Sequence, residues 1–352
     1  MDVTPYLKLL AEKKGSDLFF TTLAPVKIKI EGKISSVGKT PLTGDMTRAA
    51  AYGLMNDYQT RLFEERWEVD FAIALPDQSA RFRVNVFRQR GEVALVLRLI
   101  PSKIPTIGEL GLPEVLQELI LHKRGLILMV GATGSGKSTT LAAMLRHRNE
   151  SMTGHILTIE DPIEFSHPNL KSIINQREVG VDTQSYNNAL KSCLREAPDV
   201  ILVGEVRDRE TMEAALELCN TGHLCVSTLH ANNANQAMER VINLFPQNLH
   251  KQLFMDLSLN VRSVISQRLV TGIDGRRCAA IEVMINTPHV AELILNGSLG
   301  DIKEAMEGSG AKGMQTFDKA LYSLYKEGRI ELDEALNNAD SKTNLEAKIN
   351  FG

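Results

Sequence analysis

Between residues 26 and 31 apolar and charged positions alternate, with Val26, Ile28 and Ile30 interleaved with Lys27, Lys29 and Glu31. A period of two sends one side-chain class to each face, which predicts a half-buried strand. Glu31-Gly32-Lys33 then predicts a turn into Ile34. From Thr43 to Arg66 the spacing becomes helical, with Thr43 as N-cap ahead of Ala49, Leu54 and Leu62. Val69–Leu75, Arg81–Phe87 and Glu92–Ile100 predict a strand-rich meander, broken at Pro76-Asp77 and Arg90-Gly91.

Breakers then accumulate. Pro101-Ser102-Lys103-Ile104-Pro105 is followed closely by Gly108, Gly111 and Pro113, so residues 101–113 are predicted to be a linker between domains 1–100 and 114–352. Beyond it apolar strands alternate with helices, the pattern of a largely parallel sheet with crossover helices. The fold class is therefore α/β, with a mixed α+β domain in front. From about 288 to 340 the chain is helical and polar, and the last dozen residues read as a loosely ordered tail.

Composition agrees with two packed domains: 43% of the 352 residues are hydrophobic and 24% charged. The formal net charge is −3 with no Lys/Arg block, which argues against nucleic acid as a partner. Leu126–Val130, the longest apolar stretch at the centre of the chain, is far short of the roughly 20 residues a transmembrane helix needs. The opening Met1-Asp2-Val3-Thr4-Pro5 lacks a basic and then apolar leader, so a cytoplasmic location is expected. Cys193, Cys219, Cys225 and Cys278 have no C-x-x-C spacing and are expected to be small buried apolar residues.

The strongest chemical signal is Gly131-Ala132-Thr133-Gly134-Ser135-Gly136-Lys137-Ser138, which matches G-x-x-x-x-G-K-[ST] between a predicted strand and a helix beginning near Lys137. Glycines let successive backbone N–H groups turn inward on phosphate oxygens, and the helix N-terminus adds its positive end. Lys137 supplies a point charge at the terminal phosphates, and the Ser138 hydroxyl suits Mg²⁺. Gly131, Thr133, Gly134, Ser135, Gly136, Lys137, Ser138 and Thr139 are the candidate ATP-binding residues.

Ligands of an open parallel sheet lie beyond the carboxyl ends of its strands. Three further apolar runs end in polar residues there: His155–Ile159 before Glu160-Asp161-Pro162-Ile163-Glu164, Asp199–Val203 before Gly204-Glu205, and Leu224–Thr228 before Leu229-His230. Hydrolysis needs Mg²⁺ held by carboxylates or their waters, and a carboxylate acting on the attacking water. Glu205 is the candidate metal residue, through water because Gly204 stands where many P-loop proteins place an Asp. Glu164 is the candidate general base. His230 and His223, which bracket one strand, are candidates for hydrogen bonds to the γ-phosphate.

Together GATGSGKSTT, ILTIEDPIEF, PDVILVGEVRD and TGHLCVSTLHANNA resemble, in order and spacing, the Walker A, Asp box, Walker B and His box of the secretion ATPase superfamily. Within it, GSDLFFTT and RFRVNVF resemble the type IV pilus retraction ATPases of the PilT/PilU family. The resemblance implies a PAS-like N-terminal domain, a RecA-like ATPase domain and a homo-hexamer with ATP between subunits. Arginines then act in trans: Arg81 and Arg83 share one face of their strand, and the family places fingers there and at Arg98. It also implies two further partners, an inner-membrane platform protein of the pilus machine and, for an accessory motor, the main retraction ATPase. Three departures stand out: Ala197 precedes Pro198-Asp199, GSDLFF replaces a His-containing opening, and Ala291–Asn296 does not carry the AIRNLI motif of the main motor. The last fits an accessory motor. Extension and type II secretion ATPases share the boxes but resemble longer chains with a four-cysteine metal element. A nucleotide-gated switch with little turnover would not need two glutamates and two histidines at strand ends.

Overall fold

The computed structural model describes residues 1–77, 79–101 and 103–351; Gln78, Gly352 and Ser102 of the expected linker lie outside the described residues. The chain divides into two units, Met1–Lys103 with Ile163–Ser166, and Ile104–Pro162 with His167–Gly352.

The first unit contains α1 (Thr4–Glu12), β1 (Asp17–Phe20), β2 (Lys27–Ile30), β3 (Lys33–Ser36), α2 (Gly44–Leu54), α3 (Asp57–Arg66), β4 (Glu68–Ala74), β5 (Arg81–Gln89) and β6 (Glu92–Ile100). Its six strands form one antiparallel sheet in the order β3-β2-β1-β6-β5-β4. Alternation sorts the side chains. Phe82, Val84 and Val86 of β5 are buried with Leu95, Leu97, Phe63 and Phe71, while Arg81 and Arg83 stand on the other face. The expected helix over Thr43–Arg66 is two helices. Thr43 does cap the first, accepting from the Met46 N–H at 3.3 Å. Asn56 then ends it by capping the second: its side chain accepts from the Gln59 N–H, and the Gln59 side chain accepts from the Asn56 N–H. This reciprocal box outcompetes continuation through Met55.

The second unit contains α4 (Val115–Ile120), β7 (Gly125–Val130), α5 (Lys137–Ser151), β8 (Gly154–Glu160), β9 (Ser172–Glu178), α6 (Tyr186–Cys193), β10 (Val200–Val203), α7 (Arg209–Asn220), β11 (Leu224–Leu229), α8 (Ala234–Asn243), α9 (His250–Asn260), β12 (Val261–Thr271) and β13 (Arg277–Ile285). Among the described residues five C-terminal α-helices follow: α10 (Pro288–Leu295), α11 (Ile302–Glu307), α12 (Phe317–Lys326), α13 (Leu332–Asn338) and α14 (Lys342–Phe351). The sheet order is β13-β12-β7-β11-β10-β8-β9, parallel throughout except that β13 returns antiparallel to β12. Both faces of β7 are covered, Leu126, Leu128 and Val130 by one cluster and Ile127 and Met129 by another, which explains its unbroken apolar run.

Three sequence expectations change here. Ile107 and Leu112, inside the segment read as linker, are buried in the second unit's core. The expected loose tail forms α14, with Leu345 buried beside Phe317, Leu321 and Leu336. Cys278 is only half-buried, whereas Cys193, Cys219 and Cys225 are buried. Edge strand β9 and the β12–β13 hairpin have no counterpart among the sequence expectations; Ile173 of β9 is exposed, so that strand carries little burial signal.

Candidate functional site

The phosphate loop is shaped by what lies beneath it. Gly131 has φ 152° and Gly136 φ 87°, conformations that a Cβ strains. A Cβ at Gly131 would also stand 2.6 Å from the Gln267 carbonyl oxygen, and one at Gly136 2.7 Å from Gln267 Nε2. Gln267 is fixed in turn, because its Oε1 accepts from the buried Thr140 hydroxyl of α5 at 2.7 Å. The loop therefore seats against β12. Ser135 Oγ is buried without a hydrogen-bond partner among the described residues. Thr133, Gly134 and Ser138 are not buried. Lys137 Nζ donates to the Gly131 and Ala132 carbonyls at 2.7 and 2.9 Å, so its charge is already aimed into the loop. Burial holds its pKa below the ordinary lysine value, an effect opposed by the Glu205 carboxylate.

Register brings the strand ends together. Leu229 pairs with Val130, so His230 and Gly131 leave the sheet side by side. Val203 pairs with both Ser227 and Ile159, which sets Gly204 and Glu205 between the ends of β11 and β8. Thr228 Oγ1 donates to the Gly204 carbonyl at 2.5 Å. The Glu205 carboxylate accepts from Arg207 Nε at 2.8 Å, and its other oxygen is 3.3 Å from His230 Nε2. Salt-bridging to Glu205 raises the Arg207 pKa. A cleft of about 430 Å³ opens alongside, lined by Gly131, Ala132, His230, Asn232, Gln236 and Arg240 among others.

Why position 204 carries no side chain is also visible. A Cβ there would lie 2.7 Å from the Tyr186 hydroxyl and 3.1 Å from the Ile159 carbonyl. Burial, aided by Asp161, pushes the Tyr186 phenol well above its ordinary pKa, so it stays neutral. Gly204→Ala is expected to displace Tyr186 and destabilise the protein by about 1–3 kcal/mol, as a lower chemical-denaturation midpoint reports.

Among the sequence candidates, the structure gathers Lys137, Glu205 and His230. His223 is not gathered with them. It precedes β11, whose six residues put it roughly 20 Å from His230. There its Nδ1 meets the Leu218 carbonyl and the Thr221 hydroxyl, both at 3.1 Å. The two ends of one strand do not reach one phosphate. Glu164 is exposed in Ile163–Ser166, which packs with the first unit. In that unit Arg83 and Arg98 pair directly across β5 and β6. Such like charges repel, and a carboxylate on either side compensates: Arg83 Nε lies 3.6 Å from Asp70, and Arg98 Nε 2.8 Å from Asp17. Arg81, opposite Ile100, shares their face. Tyr186, Arg207, Thr228 and Gln267 escape sequence reading; only Arg207, two residues past Glu205, has a local signal.

The type II/IV secretion system protein family matches residues 2–342. The type IV pilus ATPase PilU of Pseudomonas aeruginosa is 52% identical, the alignment covering 100% of this chain and 92% of that protein. PilT of the same organism, the type IV pilus retraction ATPase, is 44% identical over 98% of this chain and 100% of its own. The crystal structure of the pilus retraction motor PilT with bound ADP superposes with a TM-score of 0.91 at 41% identity, covering 98% of this chain and 99% of that one. A glycine loop seated on a parallel sheet, polar strand ends in register with it, and likeness over the whole length lead to one assignment: the chain belongs to the type II/IV secretion system protein family, among its PilT/PilU-like type IV pilus retraction ATPases.

Proposed function

We infer that this chain is the subunit of a hexameric ATPase that powers type IV pilus retraction, and hence twitching motility, as an accessory motor beside the main retraction ATPase. It works in the cytoplasm against the inner membrane, where its force reaches a platform protein of the pilus machine. The observation that carries the reading is the convergence of Lys137, Glu205 and His230 on the phosphate loop at the carboxyl end of the sheet.

The chemistry follows from the residues. Backbone N–H groups of the loop hold the phosphates, and the unpartnered Ser135 hydroxyl offers one more donor. Lys137 exchanges its two carbonyl acceptors for phosphate oxygens. The Ser138 hydroxyl and, through water, Glu205 are oxygen donors of the kind Mg²⁺ accepts, so the residues present fit that ion. Once bound, it neutralises charge on the phosphates. His230 hydrogen-bonds the γ-phosphate and, with Arg207, holds the Glu205 carboxylate in place. Glu164 takes the proton of the attacking water, and Arg81, Arg83 and Arg98 act on nucleotide held by a neighbouring copy.

The test is steady-state ATPase activity of the purified full chain, with sizing of the assembly alongside. Wild type is expected to turn over ATP in a Mg²⁺-dependent manner, while Glu205→Gln and Glu164→Gln each lose about 10²-fold in turnover with the hexamer intact. ATP binding with no turnover above that of the variants would instead make the ring a nucleotide-gated switch.

A further inference from the structure

Arg268, on β12 next to the Gln267 that seats the phosphate loop, is used by nothing in the mechanism above, yet its guanidinium donates to three acceptors on two separate segments. Its Nη2 donates to the Asn232 carbonyl at 3.2 Å, two residues past His230. The same nitrogen bonds Asp340 Oδ1 at 2.6 Å, and Nη1 donates to the Asn338 carbonyl, also at 2.6 Å. Its Cζ lies over the Phe317 ring, 3.9 Å from the centroid. One side chain thus spans the strand-end loop and the corner between α13 and α14.

Both ends of the span are reinforced. At the loop, Glu282 of β13 is buried and accepts from the Ala234 N–H at 2.8 Å and from the Ser266 hydroxyl at 3.0 Å, pinning the start of α8 to the hairpin. At the corner, Asp318 accepts from the N–H groups of Asp340 and Ser341 at 2.7 and 3.2 Å, and Lys303 bridges Asp340 and Asp318. Asp340 and Asp318 are only 12% and 13% exposed, so solvent screens these bonds weakly. Neighbouring residues of one strand point to opposite faces. Gln267 therefore reads the phosphate loop from one side of β12, and Arg268 ties the strand-end loop to the C-terminal helices from the other.

We propose that Arg268 is a positioning residue that couples the α13–α14 corner to the Ala231–Asn233 loop beside the phosphates, so that the C-terminal helices set the placement of the strand-end loop during turnover. The proposal rests on the ATPase reading of the site. A planar, multiply donating fork is needed because only a guanidinium reaches three acceptors and a ring face at once; lysine supplies the charge without the geometry. Physical contact alone does not establish coupling, so the test reads the loop and the corner separately.

The experiment uses the full-length protein and two variants, Asp340→Asn and Arg268→Lys, with kcat, KM for ATP, thermal midpoint and amide hydrogen exchange measured on each. Both variants are expected to lower kcat by about three- to thirty-fold, the range such linking residues span, with KM changed by less than about two-fold. Amides of residues 232–235 are expected to exchange faster in both, although neither substitution lies in that loop. Wild-type kcat in Arg268→Lys, or faster exchange confined to residues 338–345, would overturn the proposal and leave Arg268 a stabiliser of the C-terminal helices. Should Asp340→Asn fail to fold, Arg268→Lys decides alone. His230→Ala is measured separately: unchanged turnover there removes the role given to His230, while the loop exchange still reports on Arg268.

Discussion

Lys137→Ala is expected to lower ATP turnover by about 10³-fold or more while leaving the fold intact. A full positive charge placed on a transferring phosphoryl group is worth about 10³–10⁵ in rate, or at least about 4 kcal/mol of barrier. Lys137 is already half-buried and directed at the loop carbonyls, so little reorganisation separates its resting position from its working one. Alanine at position 137 is also compatible with α5, because the helix gains a better helix former at its first residue. Circular dichroism and sizing of the variant are thus expected to match wild type while phosphate release does not. Turnover within ten-fold of wild type would take Lys137 out of the chemistry.

Arg83→Ala is expected to have a comparable effect, about 10³-fold on turnover, with ATP binding by an isolated subunit unchanged. The two arginines that face each other across β5 and β6 are not equally clean tests. Arg98 is the partner of Asp17, whose side chain is only 5% exposed, so Arg98→Ala leaves a buried carboxylate with the Ser16 hydroxyl but without its counter-charge and costs stability as well as chemistry. Arg83 pairs with Asp70, whose side chain is 54% exposed at the longer distance of 3.6 Å, and water replaces it readily. A loss of turnover in Arg83→Ala without a shift in thermal midpoint therefore reports on catalysis alone.

The phosphate loop is legible whole in the sequence, because one contiguous stretch supplies the glycines, the lysine and the hydroxyl, with strand and helix on either side. Strand ends are legible for a related reason: an apolar run buried on both faces stops abruptly where the sheet ends. Less visible is anything that depends on register or on distant pairing. Gln267 meets Thr140 across 127 residues, and Tyr186 reaches Gly204 from a helix that precedes the strand, so no local pattern announces either. Bracketing histidines look equivalent in the sequence, and only the direction of β11 separates His230 from His223. The tail misleads because Leu345 and Ile349 are too few to declare an amphipathic helix, although partners on α12 and α13 suffice to dock it. In the same way, nothing in the order of residues says that Ile163–Ser166 packs with the first unit.

Each ATP, on this account, is hydrolysed by the phosphate loop of one subunit together with arginines of another. Mixing separately purified Lys137→Ala and Arg83→Ala proteins, under conditions that let subunits exchange, tests it directly. With random assembly, roughly a quarter of the interfaces pair an intact Lys137 with an intact Arg83, as a heterologous ring contact requires. ATPase activity rising on mixing to a substantial fraction of wild type, from two inactive parents, is the result this account predicts. Activity that stays at the level of the parents, with mixed rings demonstrated by sizing and labelling, would contradict it and place the whole site within one chain.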